Sequence, residues 1–122
     1  MLTAARVDIE IANNATFQDA FMFGTAGDTS WSFSGQTFKM DIKANKYDVT
    51  PIITFTSAGG TIVVDDVVQR ILHFNVPDAT IQASLPVAEY QYDLVMIEGS
   101  IPAIRVPLMI GEIKVRQGVT EN

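Results

Sequence analysis

The sequence predicts an all-β fold, an antiparallel β-sandwich of immunoglobulin-like or jelly-roll-like layout with about eight or nine short strands and one short helix. Three observations carry this. Apolar and polar residues alternate with period two along most of the chain, the spacing that puts one face of a strand in a core and the other in water. Turn signals such as Asn13-Asn14, Gly35 and Ala58-Gly59-Gly60 interrupt the alternation at short intervals. A single stretch, residues 77–85, breaks the period and reads as helical instead.

The elements follow in order. Val7, Ile9 and Ile11 alternate with Asp8, Glu10 and Ala12, which predicts a first strand closed by the Asn13-Asn14 turn. Residues 16–23 form a second strand with Phe17, Phe21 and Phe23 on one face, and residues 24–30 are a small polar loop. Trp31 and Phe33 stand two apart before Gly35 interrupts. Phe38, Met40 and Ile42 alternate with Lys39, Asp41 and Lys43 in a half-buried strand, and residues 45–48 turn. Pro51 admits a strand at residues 52–56, since proline is tolerated at a strand's start. Residues 61–65 and 70–76 continue the pattern. Asp78 is the expected N-cap of one or two helical turns that carry Ile81 and Leu85 four apart and end at Pro86. Residues 87–97 are the longest strand, with Tyr90, Tyr92, Leu94 and Met96 inward. After a turn at residues 98–100, two further strands are expected at 101–108 and 109–116, split by prolines and Gly111. Pro102 and Pro107 donate no ladder hydrogen bonds, so that segment belongs at an edge or a bulge.

With 122 residues the chain is a single domain, 1–122, large enough for a real core. It has no cysteine, which excludes disulfides, thiolate metal sites and cysteine nucleophiles. A net charge of −6 argues against binding a nucleic-acid backbone, and no apolar run approaches the ~20 residues of a membrane helix. The start, residues 1–5, has neither the basic nor the apolar region of a signal peptide. The mean hydropathy of +0.21 is high for a small chain, and burial between subunits is the expected cover for the extra apolar surface.

The side chains offer little chemistry. His73 is the only histidine and lies inside a strand, where a structural or exposed role is expected in place of a catalytic base. Asp65-Asp66 is the only adjacent acidic pair, and it reads as a solvated turn with no calcium-loop spacing around it. Paired carboxylates of a glycosidase cannot be picked out from 14 acids in a chain this short. Gly59-Gly60 precedes a strand and not a helix, so it is no phosphate loop. Trp31, Tyr47, Tyr90 and Tyr92 are the aromatics that could stack on sugars; all but Tyr47 alternate with polar neighbours as core residues do. The expectation is no catalytic residue, no metal and no cofactor.

The order of motifs resembles the small β-sandwich domain of tailed-phage and prophage structural proteins, similar to the N-terminal domain of siphophage baseplate upper proteins. The resemblance is carried by Val7-Asp8-Ile9-Glu10-Ile11, then Asn13-Asn14-Ala15-Thr16-Phe17, then Gly35-Gln36-Thr37-Phe38-Lys39-Met40-Asp41-Ile42-Lys43. It continues through Gly60-Thr61-Ile62-Val63-Val64, the helical turn before Leu85-Pro86, Tyr90-Gln91-Tyr92-Asp93-Leu94, residues 111–115 and Val119-Thr120. Ala88 stands where the family has glycine, and Ile101-Pro102 replaces a polar turn. The resemblance implies a non-enzymatic virion structural protein, an assembly or adaptor module of the tail, neck or baseplate, or a head decoration. It would be made in the host cytoplasm and would contact other virion proteins. A soluble carbohydrate-binding module is the alternative, and a small hydrolase built on His73 a third.

A homo-oligomer or multi-copy assembly is expected, with loops and at least one strand edge buried. The candidate interface is Ile101, Pro102, Ile104, Val106, Pro107, Leu108 and Met109, where apolar residues cluster around prolines with Arg105 the only charge. Residues 24–30 and 49–53 are further candidate contact segments.

Overall fold

The computed structural model describes residues 4–45, 47–99 and 104–118. Among them are nine strands and one helix: β1 Ala5–Arg6, β2 Ile9–Ala12, β3 Phe17–Met22, β4 Thr37–Lys43, β5 Ile53–Thr56, β6 Ile62–Asp66, β7 Ile71–Val76, α1 Asp78–Ser84, β8 Ala88–Glu98 and β9 Ile104–Arg116. They form two sheets packed face to face. The larger has the order β1-β9-β8-β4-β5, with β2 also on β9; the smaller is β3-β7-β6. The all-β sandwich expected from the alternation is therefore what forms.

The core between the sheets consists of the residues whose alternation predicted it. Phe38, Met40 and Ile42 of β4 face Leu72, Phe74 and Val76 of β7, and all are buried. Tyr90, Tyr92, Leu94 and Met96 line the inner face of β8, as the period-two reading required. Phe33 links the sheets through edge-on contact with Phe38 at 4.7 Å, a geometry that aligns the positive ring edge with the negative face. It sits in the β3–β4 connection and not in a strand. Each such large side chain stabilises the fold by roughly 2–3 kcal/mol through burial alone.

Four local features differ from expectation, each for a physical reason. The first strand is split at Val7-Asp8 into β1 and β2, which both run parallel to β9. At the break Val7 N–H donates to Ile110 C=O at 2.9 Å, and Asp8 Oδ1 accepts Glu112 N–H at 3.1 Å. The backbones come so close there that a Cβ on Gly111 would lie 2.2 Å from the Val7 oxygen. Tyr92, the cross-strand partner of Gly111, fills the space beside the glycine and donates its hydroxyl to Val7 C=O.

Second, residues 104–116 form one strand and not the end of one and the whole of another. Pro107 interrupts it only as a bulge: the β8 register passes from Leu94–Met109 to Val95–Pro107, leaving Leu108 as the extra residue. The expected edge or bulge is thus a bulge. Among the described residues it is also an edge, since no strand pairs with residues 104–108 on the side away from β8.

Third, the helix N-cap is Pro77 and not Asp78. Asp78 occupies the first helical turn, where its charge suits the positive end of the helix dipole without a capping hydrogen bond. The helix buries Ile81, and Leu85 just beyond it. It thereby carries the chain from β7 in the small sheet to β8 in the large one. Fourth, Leu108 and Met109 of the candidate interface are buried in the chain's own core, because the bulge turns both inward in succession.

Candidate functional site

The most unusual group in the molecule is Arg70, which is 0 % exposed and has a positive φ of 59°. A buried cation normally needs a carboxylate partner. Arg70 instead donates to five backbone carbonyls: Nε to Phe23 at 2.8 Å, Nη2 to Thr25 at 2.9 Å, and Nη1 to Asp28, Trp31 and Val68 at 2.6, 3.1 and 2.9 Å. Its guanidinium also lies over the Trp31 ring, 4.8 Å from the centroid, in a cation–π contact. These acceptors belong to two loops, residues 23–36 after β3 and residues 67–70 between β6 and β7. The loops are further tied by Gly27 N–H to Gln69 Oε1 at 3.1 Å and Phe33 N–H to Val67 C=O at 3.0 Å.

Each loop also has its own internal cap. Asp28 Oδ1 accepts Ser30 N–H at 2.9 Å; that bond, with the Ser30 hydroxyl and the charge of Arg70, holds the Asp28 carboxyl below its usual range. Asp66 Oδ1 accepts Val68 N–H and Gln69 N–H at 3.0 and 2.9 Å. Asp65-Asp66, expected as a solvated turn, instead ends β6, and Asp66 caps the turn at residues 67–70 that follows it. Asp65 Oδ1 lies 2.7 Å from His73 Nδ1 on the outer face of the small sheet. No group of three or more potential metal-ligating side chains occurs among the described residues.

Several strand edges carry features that discourage pairing. Arg6–Asp8 and Arg116–Glu10 ion pairs line the β1/β2 edge. On β3, Asp19 shares the inward side with Phe17 and Phe21 yet remains exposed, and its carboxylate takes the Ala20 N–H at 2.9 Å. An inward charge of this kind blocks pairing with another strand. The β6 edge has a bulge between Val64 and Asp66. On β5 the Thr61 hydroxyl accepts Thr56 N–H at 3.2 Å and donates to Thr56 C=O at 3.3 Å, occupying the end of that edge. The bulge and Pro107 guard residues 104–108. Among the described residues, the outer side of β5 beyond Thr56 has no paired strand, and neither have residues 104–108 on the side away from β8, so edges remain contact surfaces beside faces and loops.

The two outer faces differ in kind. On the large sheet an open depression of about 630 Å³ is lined by Arg6, Asp41, Lys43, Gln91, Asp93 and Glu112, with Ile110 among them. Asp41 and Asp93 are direct cross-strand partners, an arrangement that is repulsive unless compensated. Asp41 is compensated by the Thr54 hydroxyl at 2.7 Å and by Lys39 at 3.9 Å. The small sheet instead presents Met22, Val63, Val67 and Val68, all exposed, around the His73–Asp65 pair.

The remaining sequence expectations fall as follows. Tyr47 is 80 % exposed and Val49 94 %, so residues 49–53 begin with the apolar exposure expected of a contact segment. Tyr90 and Tyr92 are buried and Trp31 is partly buried against Arg70, so these three turn away from solvent. Among the described aromatics Tyr47 alone is exposed, and no aromatic row lines either outer face. In the candidate interface Ile104 and Pro107 are exposed and Val106 is partly buried, while Ile101 and Pro102 lie outside the described residues. No family model matches the chain, and no curated protein matches it.

Proposed function

We propose that the chain is a non-enzymatic structural module of a tailed-phage virion, an assembly or adaptor part of the tail, neck or baseplate, or a head decoration. The observation that carries this reading is the order of motifs from Val7 to Thr120, which resembles the small sandwich domain of such proteins along nearly the whole chain. The construction of the domain is compatible with that role. Its loops are pinned from inside by a buried arginine, several of its edges carry features that discourage pairing, and apolar side chains stand exposed on loops and on one sheet face. A part that works by being held between neighbours needs such rigidity, because ordering loops on binding subtracts from affinity.

The sugar-binding alternative would need aromatic rings on an outer face, and the aromatics of β8 face the core instead. The test is to purify particles from a lysate by density gradient and quantify this chain by mass spectrometry against the major capsid protein. A fixed, multi-copy ratio that survives repeated gradients supports the proposal. Loss of the chain into the soluble fraction overturns it.

A further inference from the structure

We draw no further inference here: the strongest candidate, the exposed apolar patch of Met22, Val63, Val67 and Val68 on the small sheet and its pinned turn, carries nothing, because nothing in the structure shows what covers it.

Discussion

The two sheets share one core but are held and exposed by different means. The large sheet is regular. Its long central strands β8 and β4 bury an unbroken row of side chains, and its outer face mixes charges of both signs. The small sheet is three short strands whose connecting loops are irregular, yet those loops are tied to a single buried cation. In one region order comes from repetition of a pattern, in the other from one side chain that satisfies many backbone carbonyls at once. The difference teaches that a charged residue can serve as a core residue where the backbone cannot form ladders, provided the backbone supplies the acceptors.

The sharpest way to break this comparison is Arg70→Met. Five carbonyls would lose their donor at about 1 kcal/mol or more each, so the expected loss is about 5 kcal/mol, comparable to the whole stability of many domains. Chemical denaturation should show it. If the variant folds marginally, hydrogen exchange should rise at residues 23–36 and 67–70 before it rises in β8. Equal protection in both variant and parent would show that the arginine is not the pin.

Phe38→Ala strikes the regular region instead. Phe38 is buried under Phe33 and between the sheets, so its truncation should cost about 3–5 kcal/mol. A melting temperature within a few degrees of the parent would contradict the inward assignment.

Tyr92→Phe is a finer probe of the β1–β9 junction. It removes one buried hydrogen bond, to Val7 C=O, and should cost about 1 kcal/mol. Burial, and secondarily the Asp8 carboxylate, raises the Tyr92 hydroxyl above its ordinary value. A group raised in the folded state contributes stability that is full below its unfolded value, about 10, and is lost as pH rises through the folded value. The parent should therefore lose stability in alkali more steeply than the Phe variant, and an identical alkaline limb would contradict the assignment. The smallest effect is expected of His73→Ala. It removes a half-exposed pair with Asp65, worth about 0–1 kcal/mol, and should leave assembly unchanged. A folded, assembling variant that has lost function would reopen the hydrolase reading.

Much of this was legible in the residues, and what was not has identifiable causes. Phe38-Met40-Ile42 and Tyr90-Tyr92-Leu94-Met96 announced their inner faces because strands alternate and one side is dry. The prolines announced the bulge at Leu108. The role of Arg70 was hidden because its acceptors are carbonyls, which every residue carries, so no partner residue type marks the site. The split at Val7-Asp8 was hidden for a related reason. It follows from the close approach of β9 at Gly111, a contact more than 100 positions away in the chain, and alternation alone continues unbroken through Val7, Ile9 and Ile11. That the accessible cations among the described residues all lie on β1, β4 and β9 became visible only once the topology assigned each strand to its sheet.

The central claim is that this domain works as one of many copies held by neighbours in a virion. Electron cryomicroscopy of the intact particle, with this chain located in the map, tests it most directly. The account predicts repeated copies in the tail, neck, baseplate or capsid surface, with loops or an outer sheet face covered by neighbouring chains. Particles that lack the chain, or copies whose loops and two outer sheet faces are all fully solvated, would contradict it.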